Sequence, residues 1–177
     1  DLFQAPNETK AKELAQILDD RNTQRRVLQE KMVEDAISQI VEPVPGFIIV
    51  KGKEEDGFHR GIVGIVAGRI KDRYHRPVAV ISLGEESARA SVRSPPAVHA
   101  VHALDYCEDL LNKYGGHAAA AGFDVPIQNI DALEARLNQY VDEEISRQGL
   151  IPKLQCQVQC EAEDVDFQVV LKLEEVG

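Results

Sequence analysis

The sequence predicts an α/β protein: a mixed sheet with flanking helices, preceded by a long connector helix and followed by the start of a β-rich unit. Three observations support this class. Residues 47–50 and 78–81 are short apolar runs, as is typical of buried strands. Residues 87–93 alternate apolar and polar side chains, as a half-buried strand does. Segments with helical spacing separate these strands, and that alternation indicates an α/β domain.

The first predicted element is a long helix that begins after Asn7, whose side chain can cap it, and ends before Pro43. About 33 residues give a helix of roughly 50 Å. Its apolar positions form only a thin stripe, made by Ala11, Leu14, Ala15, Leu18, Leu28, Met32, Ala36 and Ile40. Such a helix is typical of a connector between domains or of a coiled coil. We therefore predict three units: a connector helix over residues 1–45, the α/β domain over residues 46–150, and the start of a β-rich region over residues 151–177.

A glycine-rich helix is predicted between the first two strands, from His59 to Ile70. Its apolar stripe consists of Ile62, Ile65, Val66 and Ile70, and its small residues are Gly61, Gly64, Ala67 and Gly68. Each glycine costs a helix roughly 1 kcal/mol relative to alanine, so three of them need a reason. The reason we expect is the close approach of another backbone, which belongs either to a neighbouring strand or to a ligand.

The strand over residues 87–93 places Arg89, Ser91 and Arg93 on one face, which is either an anion-binding surface or an ordinary solvated face. A helix over residues 98–113 is predicted next from the spacing of its leucines. The two glycines that follow then suggest its C-cap, with Gly115 or Gly116 at positive φ.

The segment from Tyr114 to Phe123 has two interpretations. In one, Gly115, Gly116 and His117 open a short turn whose free N–H groups, with a cationic imidazole, bind phosphate. In the other, the segment is a tight corner with a solvated histidine. A strand over residues 122–125 and an amphipathic helix over residues 131–147 follow. Beyond them, residues 154–160 alternate as a strand does, and residues 167–176 fit a short helix or a strand equally well.

The charge of the chain is unevenly distributed. A net charge of −10 argues against a nucleic-acid partner, but residues 59–93 contain seven Lys or Arg and only three acidic residues. That segment has a net charge of +4 and the remainder −14. A basic segment inside an acidic chain is compatible with a local site for an anion.

Other features of the composition limit the class of protein to which the chain can belong. No apolar run approaches the roughly 18 residues of a membrane span and no signal segment opens the chain, so we expect a cytoplasmic protein without a membrane partner. Cys107, Cys156 and Cys160 lack metal-site spacing and are expected to be small buried hydrophobes. Because the chain begins at Asp1 rather than Met, we expect it to be a piece of a longer protein.

Four motifs in order resemble the DHH-associated domain of the RecJ family, the bacterial exonucleases that degrade single-stranded DNA from 5′ to 3′. They are residues 59–69, Arg76-Pro77, residues 91–94, and Gly115-Gly116-His117 with residues 120–123. Each motif is weak alone, but the set in this order is specific. The resemblance extends to an interdomain helix, at Leu14-Ala15, Asn22 and Arg25, and to the opening of an oligonucleotide-binding region from Leu154 onward.

The resemblance implies the substrate-binding part of an exonuclease of DNA repair and recombination, with single-stranded DNA and an N-terminal DHH catalytic domain as its partners. That family holds two Mn²⁺ or Mg²⁺ ions in the DHH domain, and no Asp-His-His string occurs here. We therefore expect no catalytic residue and no cofactor in this chain, and no nuclease activity from the chain alone. By resemblance, the phosphate-binding residues are His59, Arg69, Arg76, Arg93, Ser94, Gly115, Gly116 and His117.

Two other functions remain as alternatives. One is a phosphodiesterase of the same superfamily that acts on short oligoribonucleotides or on cyclic and linear dinucleotides. The other is a non-catalytic module for nucleotide sensing or protein interaction, which the acidic C-terminal half would suit.

Overall fold

The computed structural model describes residues 2–148 and 166–176. In chain order its main elements are α1 (Glu8–Ser38), β1 (Ile48–Lys53), α2 (Val63–Tyr74), β2 (Val78–Leu83), β3 (Ser87–Arg93), α3 (Ala100–Asp105), β4 (Lys113–Gly116), β5 (Ala120–Pro126), α4 (Ile130–Gln148) and α5 (Phe167–Val176). The five strands form one sheet in the order β1-β2-β3-β5-β4. Among the described strands only the β1–β2 pair is parallel, so the sheet is mixed, as the sequence predicts.

Helices pack on both faces of the sheet and divide the core in two. One cluster of buried residues joins α1 and α2 to β1 and β2. The other joins α3 and α4 to the apolar face of β2, β3 and β5, with Phe123, Leu133 and Leu137 at 5% exposure or less. Among the described residues, the α1–α2 cluster contains no residue of β3, β5 or β4. On that side of the sheet, these three strands therefore present a face outside the core.

Helix α1 is packed only near its C-terminal end. Asn7 caps it as predicted, since its Oδ1 accepts a hydrogen bond of 2.9 Å from the Lys10 N–H. The buried residues of this 31-residue helix are Gln29, Met32 and Ala36. Farther toward the N-terminus, Leu18 is 53% exposed, in keeping with the thin apolar stripe.

The glycine-rich helix differs from its prediction in two ways. It begins at Val63 rather than at His59, because the His59 carbonyl accepts hydrogen bonds from the N–H groups of Ile62 and Val63 in a preceding turn. Ile65 does not belong to the buried stripe, since it is 41% exposed, and Val63 takes its place in the core.

The predicted helix over residues 98–113 is wrong. Helix α3 ends at Asp105, a 3-10 turn follows, and β4 begins at Lys113. Asn112 explains the change of direction, because its backbone N–H donates to the Asp124 carbonyl at 2.9 Å and its side-chain amide donates to the Asp124 carboxylate at 2.8 Å. These bonds hold the chain beside β5 in an extended conformation.

Residues 167–176, for which helix and strand were equally favoured, form α5. Cys107 is buried as predicted, and burial raises the pKa of its thiol to about 11. Cys156, Cys160 and the strand predicted over residues 154–160 lie outside the described residues.

Among the helices described, none combines the length and apolar character required to cross a membrane.

Candidate nucleic-acid interface

The face of β3, β5 and β4 that lies outside the core carries four rows of paired residues, and we call the part that holds the three rows from Arg93 to Arg89 the open face. Residues paired directly across neighbouring strands point to the same face of a sheet. The pairing gives a first row of Arg93 and Ala120, a glycine row of Ser91, Gly122 and Gly115, and a third row of Arg89, Asp124 and Lys113. The open face therefore has basic residues at both ends and a middle row that is nearly without side chains.

The glycine row is a shallow trough whose floor is backbone. A Cβ placed on Gly115 would meet no atom within 4 Å. The fold itself therefore does not exclude a side chain at this position. A residue that could be larger but is glycine leaves room for another molecule to reach the backbone.

Gly116, in contrast, is required by the hairpin that joins β4 to β5. Its φ of 150° is unfavourable for other residues, and a Cβ there would lie 2.5 Å from both the Ala120 carbonyl oxygen and the Ala121 Cα. The predicted positive φ is confirmed, but the predicted helix C-cap is wrong. A strand, not a helix, leads into the two glycines.

The turn formed by residues 117–119 ties three elements together. The His117 N–H donates to the Ala120 carbonyl at 2.8 Å and closes the hairpin. The next two carbonyls accept from other elements, since the Ser94 N–H donates to Ala119 at 2.9 Å and the Ala100 N–H donates to Ala118 at 2.8 Å. The expectation that the His117 N–H is free for a ligand is therefore wrong. Its imidazole is exposed and has no hydrogen bond within the described part of the chain.

Arg93 lies in the first row, partly buried between the open face and α2. Its Nη1 donates to the Val92 carbonyl at 2.8 Å, which uses one of the five N–H donors of a guanidinium group. A Cβ on Gly64 would come within 2.9 Å of Nη2. The glycines of α2 thus do not serve a close backbone contact as predicted: Gly64 faces a side chain, and Gly68 has no atom within 4 Å of an added Cβ.

Ser94 is 3% exposed, and its hydroxyl donates to the Val98 carbonyl. That bond fixes the turn that leads from β3 toward α3. The hydroxyl proton is therefore committed within the protein, although the oxygen retains its capacity to accept.

His59, Arg69 and Arg76 are less closely grouped. The His59 Nδ1 accepts from the Gly61 N–H at 3.1 Å, and its Nε2 lies 3.3 Å from the Glu54 carboxylate. Five helical positions separate Arg69 from Gly64, which places it about 140° around α2 from the side that meets Arg93. Arg76 lies at the Arg93 end of the sheet, two residues before Val78, the strand partner of Arg93.

Lys71 belongs to the basic segment over residues 59–93 but is absent from the predicted phosphate-binding residues. It follows Gly64 by seven positions, so the two lie within about 20° of each other on the surface of α2. Its ammonium group is 2.7 Å from the Asp72 carboxylate and its side chain is 29% exposed. Helical spacing from Gly64 was the signal that could have identified it.

The third row is electrically more balanced than the first. The Arg89 Nε lies 3.5 Å from the Asp124 carboxylate, which also accepts from the Asn112 amide. Arg89, Lys113, Tyr114, Gly122, Phe123 and Asp124 line a cavity of about 340 Å³. Because a carboxylate lies within this row, the end of the open face near Arg93 is the better site for an anion.

The described residues offer no cluster suited to a divalent metal ion. Mn²⁺ and Mg²⁺ prefer clusters of oxygen ligands, above all carboxylates. The described residues include no group of three or more His, Cys, Asp or Glu that could hold a metal ion. We therefore assign no chemical step through a metal ion to the described residues.

The chain is similar to a known family of domains and to known proteins. Residues 34–143 match the family model for the DHHA1 domain. The single-stranded-DNA-specific exonuclease RecJ of Bacillus subtilis is 30% identical over 175 residues, which cover 97% of this chain and 22% of that protein. The corresponding protein of Thermus thermophilus is 37% identical over 119 residues, which cover 67% of this chain and 17% of that protein.

Solved structures give the same picture. The crystal structure of RecJ from Thermus thermophilus in complex with Mg²⁺ matches with a TM-score of 0.71 and 34% identity, over 80% of this chain and 22% of that one. The crystal structure of exonuclease RecJ bound to manganese matches with a TM-score of 0.69 and 32% identity, over 83% of this chain and 37% of that one. This chain thus spans about a fifth of the length of the two curated relatives.

Proposed function

The chain belongs to the DHHA1 domain family, and from this premise we propose that it is the substrate-binding part of a RecJ-like exonuclease. In this proposal the whole enzyme removes nucleotides from single-stranded DNA in the 5′ to 3′ direction during repair and recombination. A DHH domain with two Mg²⁺ or Mn²⁺ ions is its catalytic partner. The similarity to single-stranded-DNA-specific exonucleases, and to RecJ structures with Mg²⁺ or manganese, supports this assignment.

The observation that carries the proposal is the glycine row beside Arg93 and His117. A DNA strand laid across this row brings its phosphate oxygens to backbone that no side chain covers. The Arg93 guanidinium and the His117 imidazole then donate to the same strand from one end of the open face. Each charge-assisted bond of this kind contributes about 1.5–3 kcal/mol.

The other residues of the predicted site have supporting roles in this proposal. Gly116 and Ser94 fix the two turns that bring His117 and Arg93 to the same end of the sheet. Arg76 adds positive charge at that end of the sheet. His59 and Arg69 act farther along the path of the DNA strand. Lys71, on the same side of α2 as Gly64, joins this set.

The dimensions of the open face favour a single strand. From β3 to β4 it spans two interstrand spacings, or roughly 10 Å. That width accommodates one sugar-phosphate backbone. The chain's contribution to catalysis is to hold and orient the strand and to offset phosphate charge, while the metal-dependent chemistry belongs to the DHH domain.

Binding of the 177-residue chain to a labelled oligothymidylate of roughly twelve nucleotides tests the proposal. We expect Arg93→Ala to weaken binding about tenfold and to reduce the slope of log affinity against log salt by about one. Arg147→Ala is the matched control, because it removes the same charge from α4, on the other side of the sheet. Equal losses in the two variants, or equal affinity for duplex DNA, would contradict the proposal, and preference for a mononucleotide would favour a sensing module.

A further inference from the structure

Gly64 lies in the first turn of α2, directly against the Arg93 guanidinium. A Cβ on Gly64 would lie 2.9 Å from Nη2 and 3.6 Å from Cζ of Arg93, and 3.4 Å from the Ser91 hydroxyl oxygen. A carbon atom cannot share a hydrogen bond with Nη2, so 2.9 Å is a steric overlap. Alanine at position 64 is therefore incompatible with the observed position of the guanidinium.

The overlap falls on the tip of a flexible side chain and not on backbone. Arg93 can rotate away from an added methyl group at little cost to the fold. Because the guanidinium is planar and rigid, moving Nη2 also moves Nη1 and so disturbs the 2.8 Å bond to the Val92 carbonyl, which holds the group beside the open face. Alanine is also a better helix former than glycine, so α2 itself would gain stability. The fold and the anion site therefore respond to this substitution in opposite directions.

We infer that Gly64 is a positioning residue for Arg93, and that its missing side chain sets the affinity of the open face for a DNA phosphate. This inference rests on the proposed function. It gives a reason for a glycine in the first turn of α2 that helix stability does not supply. Gly68 has no such reason, since an added Cβ there would meet nothing within 4 Å.

The test compares Gly64→Ala with Gly68→Ala, which make the same change one turn apart on the same helix. Both variants should have a melting temperature equal to or above that of the parent chain. For the labelled oligothymidylate, Gly64→Ala should lower affinity at least about threefold and shift the salt dependence toward that of Arg93→Ala. Gly68→Ala should leave both unchanged.

A second comparison removes Arg93 first. In the Arg93→Ala background, adding Gly64→Ala should have no further effect on affinity, because the group that it displaces is gone. If Arg93→Ala weakens binding but Gly64→Ala behaves like Gly68→Ala, the inference is wrong and the proposed function stands. A further loss from Gly64→Ala in the Arg93→Ala background would also overturn the inference. If Arg93→Ala has no effect on binding, both fail.

Discussion

Substituting the two glycines of β4 separately should divide the structural role of this strand from its binding role. Gly115 and Gly116 are adjacent, yet a Cβ on Gly115 would have no neighbour within 4 Å, whereas a Cβ on Gly116 would lie 2.5 Å from two backbone atoms of β5. Backbone cannot rotate away as a side-chain tip can. The two alanine variants should therefore give opposite phenotypes.

For Gly116→Ala the cost has two parts. The positive φ costs an alanine about 1–3 kcal/mol, and the overlap with β5 adds about 1–3 kcal/mol. In a chain of 177 residues this total corresponds to a fall in melting temperature of roughly 5–20 °C. Gly115→Ala should instead raise stability by about 0.5–1 kcal/mol, because alanine loses less backbone entropy than glycine on folding.

The binding assay completes this prediction. The methyl group of Gly115→Ala would occupy the trough where a phosphate approaches the backbone, so affinity for the oligothymidylate should fall about tenfold, or about 1.4 kcal/mol. Thermal unfolding followed by circular dichroism, measured on the same samples, supplies the stability values. Undiminished binding by a stable Gly115→Ala variant would refute the assignment of the glycine row as the phosphate path.

The other predictions concern individual side chains and the nuclease activity of the chain itself. In a full-length RecJ-like enzyme that contains this segment, His117→Ala and Arg93→Ala should each reduce exonuclease turnover at least about tenfold with little change in melting temperature. The loss in the double variant should be smaller than the sum of the two single losses. Parental turnover in both single variants would contradict these roles. Ser94→Ala should lower the free energy of unfolding by about 1–3 kcal/mol, since it leaves the buried Val98 carbonyl without its donor, and an unchanged denaturant midpoint would show that the bond is dispensable. The Cys107 pKa is raised from 9.0 to about 11, so its contribution to stability is present below pH 9 and is lost as the pH rises toward 11; Cys107→Ala should show a smaller loss of stability over that interval. The 177-residue chain should release no nucleotides from single-stranded DNA with Mn²⁺ or Mg²⁺, as an acid-soluble release assay would reveal.

Four of the five described strands could be predicted because they carry their pattern locally. Residues 87–93 alternate so regularly that the predicted strand and β3 coincide. Arg89 and Arg93 lie on the same face of the strand, as the alternation predicts. Strand β4 had no such signal. Its residues, Lys-Tyr-Gly-Gly, have low strand propensity apart from the tyrosine, and their extended conformation depends on pairing with β5 and on Asn112.

Some residues of the candidate site could also be singled out from a local pattern in the sequence. Gly115, Gly116 and His117 could be singled out, because consecutive glycines before a histidine are conspicuous in any sequence. The different roles of Gly115 and Gly116 could not be predicted, because each role depends on the atoms that surround the Cα. The contact between Gly64 and Arg93 joins residues 29 positions apart and arises only when α2 packs beside β3. A sequence pattern contains no information on such a contact.

The turn over residues 117–119 has a consequence for the way in which the domain opens. Its hydrogen bonds end β3 at Ser94, start α3 at Ala100 and close the hairpin at His117. Displacement of the turn would break all three hydrogen bonds together, because the amides of Ser94 and Ala100 donate to its carbonyls and the amide of His117 belongs to it. Hydrogen exchange at Ser94, Ala100 and His117 should therefore proceed at a common opening free energy, as a single cooperative unit at the Arg93 end of the sheet.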